Sequence, residues 1–214
     1  NVAKLQNFDF MMPYFELSDH KKFIKQAEHF FGRKYPSLKK RQIAKAAEAA
    51  YTALDSYYQA IREEGRKAIA YADAHGLEIA VVVGRPYHID PEINHGINQM
   101  ISSYGMVVVS EDAVCNLAES PEVHVLNQWT YHSRMYSAAN YVVHKENAQL
   151  IQLVSFGCGI DAITTDEIRS IIEAGNKIYT QLKIDEINNL GAAKIRIRSM
   201  IAAVEEGRKL AKQQ

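Results

Sequence analysis

The run IAVVV at Ile79–Val83 is unbroken apolar sequence that stops dead at Gly84 and the polar stretch Arg85, Pro86, Tyr87, His88. A strand with one wet face alternates apolar and polar residues. A short β-branched run without alternation is a strand covered on both faces, and it requires layers above and below it. Comparable apolar runs recur at residues 106–109 and 150–154, and an alternating, less deeply buried one at 177–184. Helical periodicity fills the gaps, over residues 91–104, 128–144, 166–173 and 190–211, with a loop or short helix at 111–119. Strands alternating with helices predict an α/β fold: a Rossmann-like parallel sheet of about four strands with helices on both faces.

The first third has another rhythm. Residues 7–17 form a short apolar run that Pro13 demotes to an edge strand or extended arm. Ser18 is placed to cap a helix that ends at Gly32, and Ser37 opens a long helical pattern reaching His75, with Gly76 as its stop. Gly65 lies inside that pattern, where glycine costs up to ~1 kcal/mol against alanine, and is a candidate bend. The expected organisation is a helical N-terminal segment, 1–76, followed by the Rossmann-like domain, 77–214. A chain that starts at Asn1 is expected to be a fragment of a longer protein.

Lys plus Arg equals Asp plus Glu at 25 each, and no basic tract stands out, so nucleic acid is not an expected partner. No apolar run approaches the ~20 residues that span a bilayer. Two cysteines make no disulfide framework, which points to a reducing, cytoplasmic setting.

Open parallel sheets bind ligands beyond the carboxyl ends of their strands. That rule makes the loop after Val83 the first candidate site. Gly84 permits close approach, Arg85 offers a planar fork of donors for phosphate or carboxylate, and Tyr87 and His88 add a hydroxyl and a titratable ring. Asp90 and Pro91 read as the cap and first turn of the next helix. His88 and His95 are not at the spacing of a zinc helix. After the third strand, two glycines bracket Cys158, leaving room for something bulky at the sulfur, and Thr164 and Asp166 read as helix caps. Cys115 follows the second strand. Two thiolates at strand ends are half of a tetrahedral sulfur or iron–sulfur site, while inert burial is the competing reading for both. His132 and Arg134, at a helix start, are candidates to face the same crevice. No GxSxG, GxGxxG or GxxxxGK[ST] occurs, so neither a serine elbow nor a dinucleotide or Walker-type site is marked.

GRPYHIDPEINHGI, NQWTYHSRMY, SFGCGIDAITTDEI and LKIDEINNLGAAKIRIRS resemble the C-terminal portion of large anaerobic proteins related to the activase of the 2-hydroxyacyl-CoA dehydratase system. The resemblance covers residues 77–206 and, more loosely, the helical part before them. It implies a dehydratase-subunit-like module in which strand-end cysteines hold an iron–sulfur cluster of the 4Fe-4S kind. It also implies a partner: an activator-type ATPase module elsewhere in the full-length chain, supplying electrons at low potential. Acyl-CoA is the implied ligand, a lyase the implied class if the chain is catalytic, and a homo-oligomer a further expectation. Cys158 matches the cysteine after the corresponding late strand, and Cys115 is the weaker match. Arg85, Tyr87, His88 and His132 would then contact substrate or anion. Two cysteines fall short of the four thiolates a cubane normally takes. A non-catalytic domain that binds an anion or CoA, or docks a partner without a cluster, is the alternative.

Overall fold

A computed structural model describes residues 9–155, 157, 159–184, 190–211 and 213. Contacts divide the chain into two units, the second beginning at Gln59.

The first unit holds the arm, α1 (His20–Lys34) and the first half of α2 (Lys40–His75). Residues 9–17 form no strand. The arm is pinned instead by Phe15, whose ring meets Phe23 and Phe30 edge-on at 5.3 and 5.9 Å, and by Leu17, whose carbonyl accepts from Tyr51 Oη at 2.9 Å. Asp19, not Ser18, caps α1: its carboxylate accepts from the Lys22 amide at 3.0 Å, while the Ser18 hydroxyl turns to Glu16. An ionised oxygen at that position outcompetes a hydroxyl for the exposed amides of the first turn.

The second unit begins within α2, which runs on through Gly65 without a break. The glycine serves packing. A Cβ there would come 2.7 Å from Ala113 Cβ, so Gly65 lets α2 lie directly against α5 (Glu111–Val114).

Four parallel strands follow: β1 (Ile79–Val83), β2 (Val107–Ser110), β3 (Ala148–Val154) and β4 (Tyr179–Lys183), in the order β2-β1-β3-β4. Ile79 stands opposite Val107 on one side and Ala148 on the other. All five β1 residues are buried. Their alternation sorts them between two cores. Val81 and Val83 face α6 (Thr130–His144) and α7 (Gly159–Ala174), with Met135, Ala139, Ile168 and Ile172. Ala80 and Val82 face α4 (Ile97–Ser103) and α8 (Gly191–Ala211), with Ile101 and Ile197. The α/β architecture with helices on both faces is therefore present. Edge strand β4 alternates in burial, as its sequence does. No helix among the described residues is long and apolar enough to cross a membrane.

Two helices depart from the sequence pattern. Residues 91–104 split into α3 (Pro91–Asn94) and α4, because His95 and Gly96 take positive φ of 52° and 80°. Buried Asn94 enforces the split: its amide donates to the His88 carbonyl at 3.0 Å while its oxygen accepts from the Asn98 amide at 3.1 Å. And α7 starts at Gly159, so Thr164 and Asp166 are interior positions, not caps. Thr164 is buried, its hydroxyl bonded back to the Ile160 carbonyl at 2.9 Å.

Candidate functional site

The chain leaves β1 toward β2 on one side and leaves β3 toward β4 on the other. The chain therefore leaves the neighbouring strands β1 and β3 in opposite directions, and their carboxyl ends mark the switch point at which open α/β sheets hold ligands in a crevice.

Gly84 starts the first loop. A Cβ there would fall 2.5 Å from His88 Nδ1 and 3.2 Å from the Leu153 carbonyl, so only glycine lets the 3-10 turn Pro86–Ile89 fold back over the strand ends. His88, 1% exposed, is held by that turn. Its Nδ1 accepts the Arg85 backbone N–H at 3.0 Å. The ring proton of the neutral imidazole then sits on Nε2, which donates to Ser155 Oγ at 3.2 Å. This tautomer rules His88 out as a base for Ser155, because the nitrogen facing the hydroxyl already carries hydrogen. It leaves the Ser155 hydrogen to point at Tyr87 Oη, 3.4 Å away, or at a ligand.

Asp161 binds the two loops together. One carboxylate oxygen takes Arg85 Nε and Nη2, each at 3.1 Å, and the other takes the Ser155 backbone N–H at 3.0 Å. Asp161 is 6% exposed, so the pair is largely shielded and the group is charge-balanced.

His132 stands in the first turn of α6 and is 3% exposed. Neither of its ring nitrogens has a hydrogen-bond partner among the described residues. Burial lowers its pKa, the nearby Arg85 guanidinium lowers it further, and Asp161 opposes. It is thus a neutral ring beside the Arg85–Asp161 pair, with one donor and one acceptor unused. Trp129, the residue at the N-cap of α6, contributes no side-chain cap, so the exposed amides of that helix start are also uncommitted on that account.

The structure therefore gathers Arg85, Tyr87, His88 and His132 around the crevice. Cys115 lies elsewhere, as the C-cap of α5, its thiol 3.9 Å from the Asp112 carbonyl. Burial raises its pKa, and its charged neighbours are Arg134, Arg62, Asp112 and Glu111, a set sharing no member with the crevice group. Cys158 lies outside the described residues. Arg134 meets Glu111 at 3.7 Å. Glu111 is 4% exposed, and burial, with Asp112 adding to it, pushes its carboxyl up to about 7.

Ser155, Asp161 and Glu111 escaped sequence reasoning. Beginning α7 at residue 166 left Asp161 looking like a loop residue; the signal was the glycine-led helix start, which places an acid in the first turn, within reach of the β1 loop. Glu111 directly follows a strand, where the same strand-end rule could have found it.

Among the described residues no three His, Cys, Asp or Glu side chains form a group able to hold a metal ion. Residues 1–114 match the model of a family described as CoA enzyme activase uncharacterised domain (DUF2229), a stretch that takes in the GRPYH loop and ends beside Cys115. No curated protein and no solved structure matches the chain.

Proposed function

The chain belongs to the family of CoA enzyme activase uncharacterised domains, and from that premise we propose that its α/β unit is a ligand-holding module that receives the acyl end of a CoA-linked ligand in the β1–β3 crevice. One observation carries the reading: His132, buried at 3% exposure with both ring nitrogens unpartnered among the described residues. A buried polar ring left unsatisfied forgoes about 1–3 kcal/mol. A ligand that satisfies it recovers that energy. With Arg85 already paired, the groups left to offer are neutral: the His132 N–H, the hydroxyls of Ser155 and Tyr87, and the first-turn amides of α6. All of these can donate, from α6, from the loop after β3 and from the turn after β1, a set suited to a thioester or carboxyl oxygen. The His132 acceptor nitrogen suits a hydroxyl on the same acyl group.

The finer reading, an iron–sulfur module working with an activator-type ATPase in low-potential electron transfer or dehydration, has weaker support. Cys115 fits a cluster site poorly: burial raises its thiol pKa, and its charged neighbours are two arginines and two carboxylates. The reading then rests on Cys158 alone, with further ligands from a partner chain.

Calorimetric titration of the chain with an acyl-CoA tests the proposal. His132→Ala is expected to weaken binding at least tenfold while leaving the folded state intact, and equal affinity in the variant rejects the crevice. Iron and sulfide analysis after anaerobic purification tests the finer reading separately. Stoichiometric iron that disappears in Cys158→Ser supports a cluster, and its retention removes Cys158 as a ligand.

A further inference from the structure

Beyond β2 a second feature stands apart from the crevice. A cleft of about 280 Å³ is lined by Gln59, Arg62, Arg66, Asn116 and Leu117. Gln59, Arg62 and Arg66 are spaced i, i+3, i+7 along α2 and so share one helix face. Asn116 and Leu117 close the opposite wall, just past Cys115. The Arg62 Nε is shielded from solvent and has no hydrogen-bond partner among the described residues, and no ion pair to Arg62 is found among them. Arg66 is engaged with Glu63 on the solvent side.

The lining is thus two guanidinium groups and two carboxamides, with one apolar residue. It supplies donors in excess and a net positive charge, with no acid among the five. Guanidinium forks match the oxygens of a tetrahedral phosphoryl group. The size narrows the ligand: sites that enclose a whole small molecule run about 300–1,000 Å³, and this cleft falls just below that range while remaining open to solvent. We infer that the Arg62–Arg66–Asn116 cleft is a binding site for a phosphomonoester group, with the Arg62 fork as its principal contact and the Asn116 amide as its rim donor.

Cys115 provides an internal reporter. The Arg62 charge is one of the two influences that lower its thiol pKa against burial. A phosphate dianion on Arg62 cancels that influence, so occupancy raises the thiol pKa and slows alkylation of Cys115.

Inorganic phosphate titrated into the chain, followed by calorimetry and by the rate of iodoacetamide labelling at the Cys115 peptide, tests the site. Saturable binding with Kd below about 1 mM, a matching fall in Cys115 labelling, and a tenfold or greater loss in Arg62→Gln are expected. Asn116→Ala, an exposed position, should weaken binding a few-fold and guards against a folding defect in the Arg62 variant. Competition by CoA but not by CoA lacking its 3′-phosphate assigns the phosphomonoester to the nucleotide end of that molecule. Competition by neither assigns free phosphate. Absence of saturable binding, or binding unchanged in both variants, overturns the inference. Loss of phosphate binding in His132→Ala with Arg62→Gln unaffected also overturns it, by moving the site to the crevice.

Discussion

At the ends of β1 and β3, Arg85 is locked to Asp161 and His88 donates its ring N–H to Ser155 Oγ. One strand over, around α5, Arg62 has a shielded Nε without a hydrogen-bond partner among the described residues, and Glu111 meets Arg134 at 3.7 Å. Both regions lie beyond the carboxyl ends of strands in one sheet, and both bury charge. The first pairs its charges internally and leaves neutral groups to offer, the His132 ring and the Ser155 and Tyr87 hydroxyls among them. The second leaves a surplus of positive charge open and burdens a carboxyl with desolvation. A charge-balanced cluster selects a ligand by the geometry of its neutral donors and acceptors. A charge-surplus cluster attracts any anion that fits, and is screened by salt.

The sharpest way to break this contrast is to remove the tie in the first cluster. Asp161→Ala strips the partner from a mostly buried arginine and frees the Ser155 amide as well. Breaking a buried pair from one side costs roughly 3–5 kcal/mol, and Arg85 retains some access to water, so a loss of about 3 kcal/mol is expected in urea denaturation. If the variant loses less than about 1 kcal/mol, Asp161 is not what holds the two loops together.

In the second cluster the signature is a pH dependence. Glu111 titrates near 7 in the folded chain against 4.5 for the free side chain. Between those values the folded state binds the proton that the unfolded state releases. Stability contributed by the protonated carboxyl is therefore full below pH 4.5 and is lost as pH rises through 7. Glu111→Gln carries no such liability. Its stability relative to the parent chain should improve by on the order of 2 kcal/mol from pH 5 to pH 8, measured by denaturation at the two values. A pH-independent difference would show that Glu111 is not the titrating group.

The sheet was legible because burial on both faces leaves a direct mark in the unbroken apolar run Ile79–Val83, whereas the switch point between β1 and β3 depends on a strand order that no local pattern carries. The GRPYH loop was legible for the same reason, since Gly84 punctuates the strand end. Helix boundaries were not. Ser18 and Asp19 are adjacent capping residues, and which one caps depends on where Glu16 lies. Asn94 breaks residues 91–104 through a bond to the His88 carbonyl, a contact made by the loop's fold and invisible to periodicity. The Arg85–Asp161 pair spans 76 positions in the sequence, beyond any local pattern. His132 was a candidate by proximity to a helix start. Its unpartnered state, the feature that gives it meaning, exists only once α6 is packed on the sheet. Pairing Cys115 with Cys158 as joint ligands rests on both following strands; Cys158 lies outside the described residues, and α5 sets Cys115 among Arg134, Arg62, Asp112 and Glu111.

The smallest expected effect is the most telling, because His132 and Glu111 titrate with opposite sign. The folded His132 pKa lies below the usual value near 6.5. As pH falls through 6.5 the unfolded chain takes up a proton that the folded ring refuses, so this contribution is intact above 6.5 and declines below it. His132→Gln keeps a donor and an acceptor at the position but cannot charge, and should flatten the acid limb between pH 7.5 and pH 5, measured by denaturation at the two values. The same physics reaches the ligand. Arg85 contributes to the depressed pKa by repelling a second positive charge. A carboxylate entering the crevice offsets that repulsion, so binding near pH 6 should draw a proton onto the ring. Calorimetry in two buffers of different ionisation enthalpy reads the uptake directly. The parent chain should show it with a carboxylate-bearing acyl-CoA, and His132→Gln should not. Equal uptake in both would place the ligand's charge somewhere other than beside Arg85 and His132.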